Sequence, residues 1–168
     1  MPTTPLNQPS LAILLVVPLL LVVGASIIGV AINYRTQHDP RAQLFLSGTL
    51  PTHPPDALYT GTINGQPDAN WKGKKFHTDH ATGINVFASG NGTKEAYPFK
   101  TYAAKGIVDN VQVLKIDYNI KGNPFWLRHV LDEVVEISPG KFLGKLHILL
   151  LGKISIAAGY FELTEPGR

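Results

Sequence analysis

The feature that most constrains this chain is an uncharged apolar run close to its N terminus. Residues 11–32 read LAILLVVPLLLVVGASIIGVAI, and Ser26 carries the single hydroxyl group. A helix of this length measures about 33 Å, which is enough to cross a hydrocarbon core about 30 Å thick. The ten residues before it contain no Lys or Arg, whereas a cleaved signal peptide begins with positive charge and has a shorter apolar core. We predict an N-terminal tail over 1–10 and an uncleaved transmembrane helix over 11–32.

The charges divide the chain into two unlike parts. The sequence has 15 Lys+Arg and 12 Asp+Glu among 168 residues, and its first ionisable side chain is Arg35. All 27 charges therefore lie in 35–168, where the charged fraction (27/134) is about 20%, as in a soluble domain. This partition excludes a wholly soluble or multi-pass protein and predicts a single-pass membrane protein. Arg35 and Arg41 follow the span closely, which favours a cytoplasmic position for the domain.

Composition and missing motifs remove several classes of function. The chain has no cysteine, so disulfides, thiolate metal sites, iron–sulfur clusters and cysteine nucleophiles are excluded. Its basic residues are dispersed, and we do not expect a nucleic-acid partner. The chain lacks a GxSxG elbow, a phosphate-binding loop and a GxGxxG fingerprint, so the common hydrolase and nucleotide chemistries are not expected.

Beyond the span, proline gives way to short alternating segments. Nine of the 13 prolines lie in the first 67 residues, which predicts an extended linker, poor in helix, over 33–57. From 58 to 168, turn signals recur about every 8 to 18 residues, among them Asn64-Gly65 and Gly152-Lys153. Residues 114–121 alternate apolar and polar side chains over their whole length. The pattern predicts a mainly β domain, and an antiparallel up-and-down β-barrel leaves no open sheet edge.

One segment departs from the strand pattern. Residues 125–135 read FWLRHVLDEVV, where Arg128 and Asp132 have the i, i+4 spacing of a helix. We predict a helical turn there. Arg128 is expected to form an ion pair with Asp132 or Glu133 that holds the loop across one end of the barrel.

Two groups of residues carry a resemblance to a known family. The stretch Trp71-Lys72-Gly73 is similar to the GxWxG signature of lipocalin-like barrels, although Ala69 stands at the first glycine position. The progression 115–119, Asn123-Pro124, 132–135 and 142–145 resembles the small GxWxG-associated domains of unknown function. The resemblance covers 71–163 and implies a lipocalin-like barrel in which the tryptophan plugs one end. It implies no activity, because a fold does not determine function.

A barrel of about eight strands is wide enough to hold one small apolar ligand, such as a lipid, a pigment or a quinone-like molecule. A membrane anchor would place such a barrel beside the reservoir of those ligands. The alternative is that the same side chains simply fill the core. The candidate ligand-binding residues are Trp71, Phe87, Phe99, Tyr102, Tyr118, Phe125, Trp126, Arg128 and Tyr160, and the wider predicted lining adds Leu114, Ile116, Leu146 and Ile148.

The sequence is also compatible with other functions. Asp117, Glu133 and His147 are candidates for proton transfer in a small isomerase, although alternation directs Asp117 and His147 towards solvent. His147 is also a candidate haem ligand, since GxWxG barrels resemble haem-binding ones. No other cofactor is predicted.

His77, Asp79 and His80 offer three potential metal ligands within four residues, but no distant further ligand is evident, and the sequence favours a polar turn over a metal site. A further alternative is an accessory subunit of a larger membrane complex. Ala25 and Gly29 have the small-xxx-small spacing that favours helix association, including self-association.

Overall fold

The computed structural model describes residues 11–51, 57–150 and 154–167, so the predicted N-terminal tail lies outside the described residues. The chain begins with α1 (Leu11–Gln37), one continuous helix of 27 residues. Its part from Leu19 to Gln37 is long and apolar enough to span a membrane. A second, short helix, α2 (Arg41–Ser47), follows at once.

The prediction of an extended linker over 33–57 is wrong in its first half. Residues 33–37 continue α1, and 41–47 form α2. Pro40 lies immediately before α2, where a missing backbone N–H breaks no helical hydrogen bond. Burial adds the stabilisation that a seven-residue helix lacks, because Phe45 is completely buried against the barrel. Pro54 and Pro55 lie outside the described residues.

The remainder of the described chain is mainly β. Every neighbouring pair of strands is antiparallel, and β1 pairs with both β3 and β9. These pairings close an eight-stranded barrel, while the two-residue β2 only extends β1 through the Asn64-Gly65 turn. The predicted barrel is confirmed. The strands are β1 (Leu58–Ile63), β2 (Gln66–Pro67), β3 (Trp71–His77), β4 (Thr82–Ser89), β5 (Gly92–Lys105), β6 (Gln112–Asp117), β7 (Val130–Ser138), β8 (Lys141–Leu150) and β9 (Ile154–Thr164).

The predicted helical turn at 125–135 is mostly wrong. Only Leu127–His129 form a single 3₁₀ turn, and β7 begins at Val130. Residues 131–134 pair with both β6 and β8, so Leu131 and Val134 pack as strand residues between two neighbours. The predicted turn at Gly152-Lys153 lies outside the described residues, but Leu150 and Ile154 on either side of it are paired as in a hairpin.

The barrel interior is packed at one end. We call this the closed end; it is where β1 begins and β9 finishes. There the ring of Tyr59 meets those of Phe76 and Phe142 edge to face at 5.4 and 5.2 Å. The void left among these side chains is only about 10 Å³. The opposite end, where β1 finishes at Ile63 and β9 begins at Ile154, is called the open end.

The outer face of the barrel is also covered on one side. Phe45 of α2 packs on Val113, Val135, Leu143 and Tyr160, which point away from the barrel interior. The helix α1 lies along β9, where Asn33 Oδ1 accepts a hydrogen bond from the Ala157 N–H at 3.1 Å. Strands β6 to β9 are consequently buried on both faces over much of their length.

Helix α1 approaches β9 most closely at Gly29. A Cβ atom on Gly29 would lie 2.8 Å from Ile156 Cδ1, so only glycine permits this contact without a shift. One of the two small residues predicted to favour helix association is therefore used within the chain itself.

Candidate functional site

A cavity of about 470 Å³ occupies the open end of the barrel. Its walls include Ile63, Leu127, Val130 and Leu146. Aromatic rings supply most of the rest: Trp71, Phe87, Tyr97, Tyr118, Trp126 and Phe161. Volume and lining are typical of small-molecule pockets, which are mostly apolar with a few placed polar groups.

The polar groups lie at the base of this cavity, and we call them the inner cluster: Lys74, Asn85, Tyr118 and Asp132. Lys74 Nζ lies 3.0 Å from Asp132 Oδ2 and 3.1 Å from Asn85 Oδ1, and it also contacts the Tyr118 hydroxyl. Lys74 is 3% exposed and Asp132 is 1% exposed. The rings of Trp71, Phe99, Tyr118 and Phe161 surround the ammonium group with centroids 4.9 to 5.5 Å away. The ion pair is thus enclosed by aromatic surface.

A β-bulge turns Lys74 into the barrel. Residues three apart in a regular strand face opposite sides, yet Trp71 and Lys74 both face inward. The pairing of β3 with β4 shifts by one residue between Trp71 and Gly73, which restores the inward direction. Gly73 has φ +135°, and a Cβ atom there would lie 1.9 Å from the Tyr59 carbonyl oxygen. Glycine at this position is required by both the backbone conformation and the close approach of β1.

The ammonium group of Lys74 stays charged at neutral pH although it is buried. Burial alone would lower the pKa of Lys74, but the neighbouring Asp132 carboxylate and Tyr118 hydroxyl outweigh it, and the pKa is raised. Burial raises the pKa of Tyr118 to about 12. The base of the cavity therefore presents an ammonium–carboxylate pair and a neutral phenol.

Hydrogen bonding leaves one polar atom of the inner cluster unused. The Tyr118 hydroxyl and Lys74 both contact Asp132 Oδ2, at 3.3 and 3.0 Å. The Asn85 amide donates to the Tyr97 carbonyl at 3.2 Å and to the Tyr118 hydroxyl at 3.1 Å. Within the described part of the chain, Asp132 Oδ1 is buried and accepts no hydrogen bond. The cluster can accept a hydrogen bond from a ligand, whereas its donors are already engaged.

Several predicted ligand-binding residues do line the cavity: Trp71, Phe87, Tyr118, Trp126 and Leu146. Phe99 lies beneath it, completely buried between Phe76 and Tyr118. Leu114 and Ile116 belong to the packed core.

The structure corrects the remaining ligand-binding candidates. Tyr102 pairs with Lys115, which places it on the outer face, and it is 45% exposed. The ring of Tyr160 packs outside the barrel against Phe45 at 6.1 Å, so only the edge of this residue reaches the cavity wall. Phe125 is 77% exposed beyond the rim, and Ile148 is 37% exposed near the end of β8.

The predicted ion pair of Arg128 is also wrong. Its Nε donates to Asn119 Oδ1 at 3.1 Å on the surface, while Asp132 points inward to Lys74. The i, i+4 argument fails because this segment is a strand, in which Asp132 and Glu133 face opposite sides.

The three predicted proton-transfer residues do not line the cavity. Asp117 accepts a hydrogen bond from the Asn119 N–H at 2.8 Å at the end of β6. Glu133 and His147 are completely buried on the outer face, where His147 Nε2 lies 3.2 Å from Glu133 Oε2. The expectation that His147 faces solvent is wrong, because α1 and the loop between β5 and β6 cover that face.

Glu133 and His147 belong to a group of buried polar side chains that we call the outer cluster: Lys115, Glu133, His147 and Ser155. Glu133 Oε1 contacts Lys115 Nζ and accepts the Ile107 N–H at 2.6 Å, and His147 Nδ1 lies 2.7 Å from Ser155 Oγ. Burial alone would raise the pKa of Glu133, but hydrogen bonds from His147 and Lys115 outweigh it and lower the pKa. Both oxygens of the Glu133 carboxylate are therefore hydrogen-bonded within the outer cluster, and α1 and the loop between β5 and β6 cover it.

The metal and haem candidates do not assemble a site. Asp79 and His80 form an exposed pair at 3.0 Å in a 3₁₀ turn. Over the described ranges, no group of three or more His, Cys, Asp or Glu side chains is placed to hold a metal ion. Both ring nitrogens of His147 are hydrogen-bonded within the outer cluster, so this residue does not fit a haem ligand.

Sequence reasoning missed Lys74, Asn85 and the inward direction of Asp132. The signal for Lys74 was available in the GxWxG resemblance, since a glycine two residues after the tryptophan marks a bulge that reverses the facing of the next residue. Asn85 and Asp132 carried no comparable signal.

The closed antiparallel barrel follows from the strand pairing itself. No family model, curated protein or solved structure matches this chain.

Proposed function

We propose that this protein is a membrane-anchored, lipocalin-like module that binds one small, largely apolar ligand with a hydrogen-bond donor at its head. The observation that carries the proposal is the cavity of about 470 Å³, whose aromatic walls lead to a buried carboxylate with one unused oxygen. A donor such as an alcohol, a phenol or an amine would satisfy that oxygen.

The buried ion pair supports the same conclusion. Replacing such a pair by apolar side chains is often neutral or stabilising, so burying Lys74 and Asp132 is a poor way to stabilise a barrel. At the base of an open cavity, the pair can instead orient a polar head group. A ligand carboxylate is disfavoured, because it would approach Asp132 while the donors of Lys74 are engaged.

The anchor part of the proposal rests on α1. The span ends at Tyr34 and Arg35, where an exposed aromatic ring and a cation are suited to a membrane–water interface. Extraction of isolated membranes at alkaline pH tests this part alone. An anchored chain stays with the membrane pellet and retains its N terminus, whereas a cleaved signal sequence releases a shorter soluble domain.

Binding can be read from the protein itself, because both tryptophans of the chain, Trp71 and Trp126, line the cavity. The full chain in nanodiscs is titrated with N-phenyl-1-naphthylamine, a neutral apolar fluorophore with one N–H donor, and energy transfer from tryptophan is recorded. We expect one saturable site per chain.

The matched variants are Leu146→Phe, which fills the cavity, and Ile84→Phe, which enlarges an outward-facing residue of β4. Leu146→Phe should weaken binding about tenfold or more, equivalent to about 1.4 kcal/mol, and Ile84→Phe should leave it unchanged. Equal binding by both variants, or transfer that never saturates, would show partition into lipid and overturn the proposal. Displacement by 1-dodecanol but not by dodecanoate supports the donor head group, and equal displacement refutes that part.

A further inference from the structure

We infer that the open end of the barrel faces the bilayer that holds α1, so that the cavity exchanges its ligand directly with the lipid. Leu150 and Ile154, where the described parts of β8 and β9 end, and the exposed pair Phe125-Trp126 are then the barrel's own membrane contacts. The inference rests on the proposed anchoring of α1 and adds the orientation of the barrel and the source of the ligand.

The direction of β9 along α1 fixes this orientation. Gly29 contacts Ile156, and Asn33, one helical turn later, bonds to Ala157, so both elements run away from the membrane together. Gly29 precedes Tyr34 by five residues, which places the Ile156 contact about 8 Å on the membrane side of the interface. The hairpin continues beyond Ile156 to Ile154, roughly 7 Å further along the strand. The two steps together place this end of the hairpin at most about 15 Å on the membrane side of Tyr34, among the acyl chains of one leaflet.

The side chains at this end suit that depth. Leu150 and Ile154 at the hairpin tip are 42% and 55% exposed, and Phe125 and Trp126 on the neighbouring loop are 77% and 62% exposed. Large apolar side chains collected at one end of a water-soluble domain mark a binding surface. The Ala157 N–H, on the strand edge nearest α1, is satisfied by Asn33. A strand edge at a membrane needs such a partner, because lipid offers none.

The cavity also opens at this end. Its rim includes Ile63, Trp126 and Gly159. A groove beside α1 begins at the same Ile63 and Gly159 and runs past Ile32 and Arg35 at the predicted interface. The groove therefore connects the rim of the cavity with the part of α1 at the predicted interface, and its lining is mixed, with Thr36, His38 and Arg41 beside the apolar side chains.

The absence of native cysteine permits a direct test of depth. Leu150→Cys at the tip and Lys141→Cys at the other end of β8 are each labelled with bimane in the full chain, reconstituted in phosphatidylcholine vesicles. Both positions are exposed, so the label should not disturb packing. Quenching is measured with doxyl-labelled lipid and with aqueous iodide. We expect lipid quenching and loss of iodide quenching at 150, and the reverse at 141, with Phe125→Cys behaving like 150.

The outcomes separate the possible failures. Iodide quenching at 150 in a chain that resists alkaline extraction would overturn the orientation while the anchor stands. Protection of position 150 from both quenchers would mean that a second protein covers the tip, which overturns the bilayer as its occupant. A chain released by alkaline extraction would refute the anchor itself.

Discussion

Two buried charged clusters lie on opposite faces of the same barrel wall, only one residue apart on β7. Asp132 points into the barrel and Glu133 points out of it. Each carboxylate is paired with a lysine: Asp132 with Lys74, which reaches it from β3 across the barrel interior, and Glu133 with Lys115 of the adjacent β6. The composition of the two clusters is similar, so any difference in their roles must come from their surroundings.

Those surroundings differ in how completely they satisfy the carboxylate. Glu133 contacts Lys115, His147 and the Ile107 N–H through both of its oxygens, beneath the loop between β5 and β6. Asp132 receives both of its protein partners on Oδ2, while Oδ1 has none in the described residues and the residue lines a cavity. Complete satisfaction is typical of a structural network, and a vacant acceptor beside a cavity is typical of a binding site.

The largest effect is expected from breaking the inner pair. Lys74→Met leaves Asp132 buried without its cation and should lower the free energy of unfolding by about 3–5 kcal/mol. Urea denaturation followed by tryptophan fluorescence measures this, since Trp71 lies over the ammonium group. The double variant Lys74→Met/Asp132→Leu removes both charges and should recover most of the loss. A double variant as unstable as the single one would show that packing, and not charge, causes the effect.

A smaller effect is expected from the outer cluster. Glu133→Gln keeps the shape but removes the charge that accepts hydrogen bonds from Lys115 and His147, which should cost about 2–3 kcal/mol. Because Glu133 does not line the cavity, binding of N-phenyl-1-naphthylamine should be unchanged in the folded variant. Weakened binding by folded Glu133→Gln would show that the outer cluster also contributes to binding, and it would contradict a purely structural role for that cluster.

The sequence predicts the barrel well because closure depends on repeated local signals. Alternation in 114–121 and turns such as Asn64-Gly65 each specify one strand pair, and pairing the first strand with the last removes the edges. Alternation also assigns Lys115, Asp117 and His147 to the outer face correctly. It does not predict burial, because α1 and α2 cover that face and this contact between distant segments has no local signature.

The inner cluster is harder to predict for a different reason. Its residues come from β3, β4, β7 and the end of β6, so they meet only after the barrel has closed. A bulge between Trp71 and Gly73 decides the facing of Lys74, and a register shift of one residue reverses every side chain after it. Asp132 is assigned to the wrong partner because its segment is taken for a helix, in which Arg128 would be its neighbour.

Acidic and alkaline pH should affect the two clusters unequally. The pKa of Glu133 is lowered in the folded state, so the unfolded chain binds more protons as the pH falls through the ordinary glutamate range. The stability contributed by Glu133 is present above that range and is lost below it. Glu133→Gln should therefore show a flatter decline in stability between about pH 6 and about pH 3 than the unmodified chain. If stability declined equally steeply with falling pH in both proteins, the lowered pKa of Glu133 would not be a source of stability.

The raised pKa of Lys74 gives the opposite sign. Its contribution is present below the ordinary lysine range and is lost as the pH rises through the raised value. The buried tyrosines, whose pKa values are also raised, contribute to the same decline, so it should be shallower in Lys74→Met/Asp132→Leu and unchanged in Glu133→Gln. Calorimetric or urea unfolding at a series of pH values measures both the acidic and the alkaline decline in stability.

The smallest effect is expected at the residue next to Lys74. Lys75 faces outward and pairs with Glu95 at 3.0 Å, with both side chains more than 40% exposed. Water screens such a pair, so Lys75→Ala should change the free energy of unfolding by less than about 1 kcal/mol. The two lysines are adjacent in β3, and after the bulge Lys74 faces inward and Lys75 faces outward, which makes Lys75→Ala the matched control for Lys74→Met. Comparable losses for the two variants would mean that Lys74 is not enclosed in the barrel. The proposed ligand cavity would then have no buried ion pair at its inner end.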